Sequence, residues 1–590
     1  MINTIGLLSR FLKTKTSFRT SVFIFCTLMF SDFSYAINKG DASENTLSIK
    51  LQQQINGTIL DENGTPLPGA SVVIKGTSTG TQTDLDGNFT IEAASTDVLI
   101  ISYIGYLKQE VTVNNQTTIN ILMNVDSNVL DEVVVVGYGT QNKYMVTGAI
   151  STVSSDDLVK LPTTNAVEAL QGKASGLTII SGGTPGSEPT VRIRGIGTLG
   201  NNNPVYVVDD IVVTDISSLS ANDIESISVL KDASTTAVYG SLGANGVIVI
   251  KTKTGKAGQV AFNFNTYLST QFKPKSLEVL STSQYLSYAT DMILNADPNA
   301  TVPIQFTDGS LVGNNYNYQD EIFQTGSIQN YEFSAAGGNE VAKFRLSAGY
   351  QSQEGILLNT DLNRYTLRLN SSFDKGIFSF GESLGITYAE QNPLILAFSV
   401  SPIENAINMA PYLPFTNDEY IGGYSELTAE DINTTRNPLR TLNREEQLNK
   451  NISILGNVYA KAKLAPGLEY KINGGMNFYD NSFKKTELPY GISGGLFNQL
   501  ITRYTYFDTR VKTVTLQNSL QYKTTFNDKH NVEILGLSER QKRKTTTLSG
   551  VGTTDLGISD IGAALSGGAA TVEYNKIGYL GRLNYNYDNK

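Results

Sequence analysis

The most informative pattern in this chain lies in residues 223–255, DIESISVLKDASTTAVYGSLGANGVIVIKTKTG. Its first part, Asp223–Ala233, begins with turn-forming residues and continues with apolar alternation, which predicts a turn that leads into a strand. Its last part, Gly246–Lys253, is rich in β-branched residues and predicts a second strand. The stretch therefore predicts two strands of one domain.

The residues before this stretch mix helix and strand signals. Thr164–Gln171 carries Val167 and Leu170 at helical spacing and is followed by a glycine, which predicts a short helix. Val191–Gly195 alternates apolar and basic residues, and Pro204–Asp209 is an apolar run of the kind found in buried strands. Residues 145–256 together therefore predict a compact α+β domain.

Residues 55–125 predict a small all-β domain. Short apolar stretches alternate there with turn signals such as Glu62-Asn63-Gly64 and Pro66–Gly69, which is typical of a β-sandwich. Asp84 and Asp86 could bind calcium, but the spacing of a calcium loop with its final glutamate is absent. A plain β-turn is therefore the favoured interpretation of these two residues.

A run of four valines follows, within DEVVVVGYGTQ at residues 131–141. Valine has a strong β-propensity and the run has no helical period, so it predicts a strand. The glycines that close the run could suggest a phosphate-binding loop, but no further glycine or lysine follows at the required spacing. A core strand is the alternative that this pattern leaves open.

Beyond residue 258, apolar and polar residues alternate with a period of two. Val260, Phe262 and Phe264 share one face of the first such segment, and Asn263 and Asn265 share the other. The alternation recurs at residues 344–350, 365–370, 468–472, 514–522 and 577–587. It fits the two faces of a sandwich sheet or the lipid and interior faces of an outer-membrane barrel. Aromatic residues at strand ends and long polar stretches, for example 296–320 and 412–450, favour the barrel.

The first 36 residues predict a secretory signal peptide. Basic residues precede the apolar run Val22–Phe30, and Ser34-Tyr35-Ala36 offers small residues for cleavage. The run is far shorter than the roughly 20 residues that a membrane-spanning helix needs. The sequence therefore predicts export, with residues 37–54 as a short linker before the sandwich.

Composition excludes several classes of function. With a net charge of −10 over 590 residues, the chain lacks the basic surface of a nucleic-acid binder. It has one histidine, His530, and one cysteine, Cys26, which excludes His/Cys zinc sites, histidine triads and disulfides. A glycosidase with two carboxylates stays open by composition, but no pair is placed on a cleft. The sequence therefore predicts no catalytic residue, no metal site and no cofactor.

In their order, these parts resemble the SusC/RagA family of TonB-linked outer-membrane transporters. The sequences that carry the resemblance are LDEVVVVGYGTQ, LQGKASGLTIISGGTPGSEPTVRIRGIGTLGNNNPVYVVDD, residues 223–255 and YQSQEGILLNTDLNRYTLRLNSSF. Residues 55–125 resemble the carboxypeptidase-regulatory-like domain, an immunoglobulin-like sandwich. The chain departs from the family at Asp210, where glycine is usual, and at Leu242, where arginine is common.

The resemblance implies two sets of site residues. Residues 130–141 resemble a TonB box, whose TonB-pairing residues would be Asp131, Glu132, Val133, Val134, Val135, Val136, Gly137, Tyr138 and Gly139. The plug motif residues would be Arg192, Arg194, Gly195, Asp209, Asp223, Glu225, Lys231, Asp232, Tyr239, Gly240, Asn245 and Gly246. The resemblance assigns no substrate-binding residue.

The resemblance also implies a mainly β fold and a transport function. Residues 145–256 would be the plug, and 258–590 would be the N-terminal half of a barrel that has about 22 strands in the family. Because only about ten strand signals occur, we expect the chain to be the N-terminal part of a longer protein. The sandwich would lie in the periplasm, with the barrel crossing the outer membrane several times.

The implied function is energy-coupled import of a nutrient, most often a glycan and second a peptide. The implied partners are TonB with ExbB–ExbD, a SusD-like surface lipoprotein and outer-membrane lipid. The alternative from another class is a secreted surface-binding or adhesion protein, which would need no plug motif and would not transport.

Overall fold

The computed structural model describes residues 52–587 except for short gaps at 63, 78, 104–105, 125–132, 136, 138, 143–147, 161–162, 214, 395–400, 429–430, 432, 434, 492–497, 528 and 554–564. The predicted signal peptide and most of the predicted linker therefore lie outside the described residues. The chain divides into two compact units, residues 1–131 and 132–590.

The first unit contains two small β-sheets. Its strands are β1 Gln52–Asp61, β2 Ser71–Ile74, β3 Gly80–Gln82, β4 Asn88–Ala94, β5 Val98–Ser102, β6 Gln109–Thr112 and β7 Ile121–Met123. One sheet has the order β4-β1-β7 and the other has the order β3-β2-β5-β6. Alternate residues of both sheets, including Ile55, Ile59, Phe89, Leu99 and Ile101, form one apolar core, as a period of two predicts for a sandwich.

The turn at Asp84–Gly87 in this unit is built by its own side chain. Oδ1 of Asp84 accepts hydrogen bonds from the backbone N–H of Asp86 at 3.0 Å and of Asn88 at 2.8 Å. An aspartate that binds backbone N–H groups two and four residues later is a common turn-forming device. The geometry agrees with the interpretation of a plain β-turn.

The second unit begins with a hairpin and continues as an α+β domain, called here the plug domain, over residues 150–252. The hairpin strands are β8 Val133–Val135 and β9 Thr140–Asn142; the plug strands are β10 Ile150–Ser154, β11 Leu177–Ile180, β12 Thr190–Ile193, β13 Val205–Val208, β14 Ile211–Val213, β15 Ile224–Leu230 and β16 Val247–Thr252. Its helices are α1 Ser155–Leu158 and α2 Ala233–Thr236, with 3₁₀ turns at Glu168–Leu170, Ala221–Asp223 and Ala237–Asn245.

A five-stranded sheet with the order β10-β15-β16-β13-β14 forms the centre of the plug domain, and β11 pairs with β12 beside it. Both strands predicted within residues 223–255 are present as β15 and β16, which pair antiparallel. The predicted helix at Thr164–Gln171 is wrong in extent, because only Glu168–Leu170 forms a single 3₁₀ turn. Val167 and Leu170 are nevertheless buried in the plug core, so the spacing reflected burial and not helix length.

The rest of the unit is one sheet of ten antiparallel strands, each paired with the next along the chain. The strands are β17 Gly258–Gln271, β18 Gly326–Gly338, β19 Ala342–Glu354, β20 Asp361–Lys375, β21 Phe378–Asn392, β22 Glu445–Ala465, β23 Leu468–Glu487, β24 Arg503–Phe526, β25 His530–Gly552 and β26 Ser566–Tyr587. The sandwich, the plug domain and this sheet confirm the predicted fold class.

The two faces of the large sheet have the reverse of the usual burial pattern. Outward-facing apolar side chains are exposed, for example Phe264 at 67% and Leu583 at 68%. Inward-facing polar side chains are buried against the plug domain, for example Arg345 at 5% and Asn370 at 2%. An exposed apolar face over ten strands is typical of a surface that faces lipid or another protein, since exposing it to water would be costly.

Connections at the two ends of this sheet differ in length. Short turns join β18 to β19, β20 to β21, β22 to β23 and β24 to β25, whereas three of the connections at the other end span 54, 52 and 15 residues after β17, β21 and β23. The long connections contain helices α3 Thr282–Ala296, α4 Tyr318–Glu321, α5 Pro402–Asn408 and α6 Pro438–Arg444, and a 3₁₀ turn at Ile304–Phe306. They share an apolar core that includes Tyr318, Tyr412 and Leu442. The polar stretches predicted at 296–320 and 412–450 are therefore folded loops.

Among the described residues, no helix is both long enough and apolar enough to span a membrane.

Candidate functional site

The valine run forms one strand of a small hairpin at the start of the second unit. Val133, Val134 and Val135 pair antiparallel with Asn142, Gln141 and Thr140. The sequence did not predict the second strand of this hairpin. Asp131, Glu132, Val136 and Tyr138 lie outside the described residues.

The hairpin turn is held against both the plug domain and the large sheet. Gly137 is buried with a φ of +22°, and a Cβ at this position would lie 2.2 Å from Cγ2 of Val238. Its carbonyl accepts a hydrogen bond of 3.0 Å from Nη1 of Arg582 on β26, and a Cβ on Gly139 would meet the same guanidinium at 3.1 Å. Arg582 is itself oriented by Glu533, 2.8 Å away. A side chain at position 137 would therefore require Val238 to move, whereas one at position 139 would require only a small shift of the Arg582 guanidinium.

A buried charge network joins the plug domain to the large sheet at Asp223. Its Oδ1 lies 2.6 Å from Nη1 of Arg345 and accepts a hydrogen bond of 2.6 Å from Ser347. Nε of Arg368 lies 3.8 Å from its Oδ2, and Glu332 lies 4.0 Å from Arg345 on the other side. Because Asp223 and both arginines are almost fully buried, removal of one member leaves uncompensated charge.

Asp209 and Asp210 form the two-residue turn between β13 and β14. Both have positive φ, +46° and +70°, as a type I′ turn requires. Asp209 accepts hydrogen bonds from the backbone N–H of Thr252 at 3.0 Å and from Oγ of Ser383 at 3.1 Å. Asp210, which stands where the family usually has glycine, forms an ion pair of 2.7 Å with Lys471 of β23. Each aspartate thus connects the plug domain to the large sheet.

Arg194, Lys231 and Asp232 meet at the other end of β15. Nη2 of Arg194 lies 2.5 Å from Asp232, whose second carboxylate oxygen accepts the backbone N–H of Ala149 at 2.5 Å. Hydrogen bonds from Ala149 and Arg194, together with positive charge from Arg194 and Lys231, lower the pKa of Asp232. Lys231 donates to Ser151 and Ser175, and burial together with Arg194 lowers its pKa. This cluster fixes the chain where it leaves the hairpin and enters β10.

The other plug motif residues shape backbone turns. Arg192 donates to Asn203 at 2.6 Å, and Asn245 donates to the carbonyl of Asn201 at 2.7 Å. Gly195, Gly240 and Gly246 have φ of +88°, +59° and +89°. A Cβ on Gly246 would lie 2.6 Å from Cδ1 of Ile193, so the residue also permits a close approach.

Two motif residues stand apart from these clusters. Glu225 is exposed and occupies the bulge where the β15–β16 register shifts between Ile224 and Ser226. Tyr239 is buried, and burial raises the pKa of its phenol.

Sequence reasoning missed the partners on the large sheet, Arg345, Arg368, Lys471 and Arg582. Their signal was present, because each is a basic residue on the polar face of an alternating strand. Which plug residue each would meet depends on contacts more than 100 residues apart in sequence, as for Asp223 and Arg345.

Comparisons with known protein families match both N-terminal domains. Residues 55–135 match the family described as CarboxypepD_reg-like domain. Residues 142–247 match the family described as TonB-dependent Receptor Plug Domain.

Curated relatives resemble most of the chain. It is 32% identical over 564 residues to TonB-dependent receptor P26 of Formosa agariphila, covering 91% of this chain and 55% of the relative. It is 32% identical over 490 residues to TonB-dependent receptor SusC of Bacteroides thetaiotaomicron, covering 77% of this chain and 47% of the relative. The chain thus spans about half the length of these curated relatives.

Solved structures share the fold at lower identity. A structure titled as the RagAB peptide transporter superposes with a TM-score of 0.63 at 20% identity, covering 75% of this chain and 54% of that chain. A structure titled as the RagAB peptide importer in the "open-open" state gives a TM-score of 0.63 at 21% identity, covering 78% of this chain and 55% of that chain. This likeness concerns the fold alone.

Proposed function

Because this chain belongs with the SusC-like TonB-dependent receptors, whose plug domain it carries, we propose that the whole receptor imports a nutrient across the outer membrane by energy coupling. The large sheet forms part of the barrel wall in this proposal, and the plug domain closes the passage. Import proceeds with TonB, powered by ExbB–ExbD, and with a SusD-like lipoprotein on the cell surface. The sandwich domain lies on the periplasmic side.

The observation that carries this proposal is the position of the β8–β9 hairpin. Its turn contacts Val238 of the plug domain and Arg582 of the wall, so a force on β8 acts at the plug–wall boundary. Among the described residues, β8 pairs with another strand on one edge only. An extended TonB segment can add to an open strand edge through backbone hydrogen bonds alone.

The short-turn end of the sheet supports the proposed orientation. Outer-membrane barrels have short turns on the periplasmic side and long loops outside. Arg582 pairs with Leu535 of β25, near the short turn that joins β24 to β25, so the hairpin lies at the periplasmic end. The folded loops with α3–α6 then face outward, where substrate arrives.

A glycan is the substrate class that the inner face of the wall favours. At the long-loop end, half-buried Asn449, Asn451, Tyr479 and Asn481 form an amide patch. Tyr479 donates to Asn451 at 3.2 Å, and Asn481 donates to both other asparagines. Uncharged groups that both donate and accept suit sugar hydroxyls, and the tyrosine ring offers an apolar face. A peptide is the alternative substrate, since amides also bind peptide groups.

The test of energy coupling is Val134→Pro in the full-length receptor, with Val134→Ile as the matched control. Proline removes the backbone N–H, and we expect the level of receptor and its substrate binding to stay unchanged, because β8 and β9 form a sheet separate from the five-stranded sheet of the plug domain. We expect uptake of a labelled oligosaccharide to be lost with proline and kept with isoleucine.

Two outcomes contradict the proposal. Unchanged uptake by Val134→Pro would show that β8 does not couple transport, and a loss of receptor from the membrane would make β8 a core strand. Uptake of a labelled peptide in place of the oligosaccharide would keep the transport function and replace the substrate class.

A further inference from the structure

A cavity of about 1170 Å³ lies between the plug domain and the wall at the short-turn end of the sheet. Its plug side is formed by the Asp209–Asp210 turn and by β16 around Lys251, and its wall side comes from β19 to β25. The turn at Pro466–Leu468 lines its rim, and Gly139 of the hairpin turn lines it as well. The space could hold several sugar residues or a group of small ions with water.

The charged side chains that line this cavity are mainly basic, although the chain as a whole has a net charge of −10. The lysines are Lys251, Lys343, Lys461, Lys463, Lys471 and Lys523, against the acids Asp209, Asp210, Glu382 and Glu469. Lys461 and Lys471 lie 5.5 and 5.3 Å from the ring centre of Tyr459, one on β22 and the other on β23. Because side chains alternate between the two faces of each strand, these ammonium groups lie on one inner surface.

Three of the six lysines have no ion-pair partner among the described residues, and the other three each have one. Lys471 pairs with Asp210, Lys461 lies 3.8 Å from Glu469, and Lys523 lies 3.3 Å from Glu533. Lys251, Lys343 and Lys463 form no ion pair with another described residue. Lys251 lies in the plug domain and the other two lie in the wall, so the unpaired lysines line the cavity from both sides.

The carboxylate of Asp210 lies inside this cavity and would compete with a bound anion for the positive charge of the lysines. Burial tends to raise its pKa, but the positive charges of Lys471, Lys251 and Lys461 lower it overall. Its backbone has a left-handed φ of +70°, which aspartate and asparagine adopt more readily than other residues except glycine. The aspartate therefore supplies, from within the chain, one negative charge in a cavity that has an excess of positive charge.

We propose that this cavity is a binding site for oxyanions, which bridge Lys251 of the plug domain to Lys343 and Lys463 of the wall and so hold the plug in place. The ligand chemistry is phosphate, sulfate or carboxylate, carried by a free ion or by an acidic oligosaccharide. Anion binding at this site requires no TonB, so the site is independent of energy coupling. A failure to detect anion binding would therefore leave the proposed import function untouched.

The experiment measures binding of radiolabelled inorganic phosphate to the full-length receptor in detergent at constant ionic strength. The variant is Lys251→Gln, Lys343→Gln and Lys463→Gln together, and the matched control replaces exposed Lys256, Lys275 and Lys529 by glutamine. Three lost charges close to an anion should weaken binding about tenfold or more, whereas the control should bind as wild type. Equal binding by wild type and the site variant would overturn the proposal.

A second variant changes binding in the opposite direction and does not depend on the triple variant being folded. Asp210→Asn keeps a residue that tolerates left-handed backbone but removes the competing charge, so phosphate should bind several-fold more tightly. Weaker or unchanged binding by this variant would count against the site.

Binding measurements with different ligands distinguish a free oxyanion from an acidic oligosaccharide. Preference for a sulfated or uronic oligosaccharide over phosphate, with no binding of a neutral oligosaccharide of the same length, supports an acidic glycan. Preference for phosphate supports a free ion. Equal binding of the neutral oligosaccharide would overturn the assignment of charge recognition.

Discussion

Replacement of Asp223 by alanine should loosen the plug domain from the wall without unfolding the wall itself. The carboxylate lies 2.6 Å from Arg345 and 3.8 Å from Arg368, and all three side chains are at least 94% buried. The change removes the negative charge between two arginines that cannot reach water without movement of the plug domain.

The magnitude follows from what remains around the arginines. Loss of one member of a buried ion pair costs about 3–5 kcal/mol. Arg345 keeps Glu332 at 4.0 Å and Arg368 keeps Asp209 at 3.9 Å, so the lower end of that range applies. A cost of about 3 kcal/mol corresponds to roughly a 150-fold shift in the equilibrium between the seated and the open plug domain.

The assay is hydrogen exchange of the β15 amides in the purified full-length receptor, where exchange through local opening reports that equilibrium. We expect exchange at Ile224–Leu230 to accelerate about 150-fold, while β22 and β23 exchange as in wild type. Asp223→Ala combined with Arg345→Met should recover part of the loss, because Arg345 no longer lacks its closest carboxylate and Glu332 keeps its hydrogen bonds from Ser220 and Asn222. Exchange within about threefold of wild type in the single variant would refute the reasoning.

Three further predictions concern single contacts. Arg582→Gln should accelerate hydrogen exchange of the β8–β9 amides about 10–100-fold, because a charged hydrogen bond to the Gly137 carbonyl is lost. The control is Arg540→Gln on the exposed face of β25, which should leave this exchange unchanged. Gly246→Ala should destabilise the plug domain by about 2–4 kcal/mol, because the strain of a left-handed backbone adds to the clash of its Cβ with Ile193. Gly64→Ala, which has open space around it, should cost only about 1 kcal/mol, and equal losses in a thermal melt would contradict this. Asp84→Ala should lower the stability of the sandwich by about 1 kcal/mol, because two hydrogen bonds to the backbone are lost. The loss should appear as faster hydrogen exchange of the β4 amides. If added calcium stabilised the wild-type sandwich, the interpretation of Asp84 as a plain turn residue would be wrong.

The elements that could be predicted are those with a local signal. Strands such as Gly258–Gln271 and Val247–Thr252 follow from side chains that alternate or branch at Cβ, and such patterns need no knowledge of the partner strand. The turn at Asp84 follows in the same way, because the side chain bonds its own neighbouring backbone.

The elements that could not be predicted depend on distant partners. Thr140–Asn142 has no strong β-propensity and becomes a strand only because Val133–Val135 pairs with it. The helix predicted at Thr164–Gln171 fails because tertiary packing fixes Val167 and Leu170 without further helical turns. The loop helices share a core assembled from three separate connections, which no single segment reveals.

For the candidate site, the sequence located the plug side but not the wall side. Asp209 and Asp223 belong to recognisable motifs, but their ion-pair partners Arg368 and Arg345 lie on the large sheet and were not predicted. Asp232 pairs with Arg194, which is itself a plug motif residue. The wall arginines look in sequence like any polar residue of an alternating strand.

The plug domain has an apolar interior but contacts the wall through hydrogen bonds and ion pairs, and this contrast has a mechanical consequence. Each polar contact that is broken can be replaced by a water molecule, at a net cost of about 0.5–1.5 kcal/mol for a neutral pair. Apolar core contacts have no such replacement, because exposing apolar side chains to water is unfavourable. A steady pull on β8 would therefore break the boundary contact by contact as water enters, while the plug domain itself keeps its internal structure.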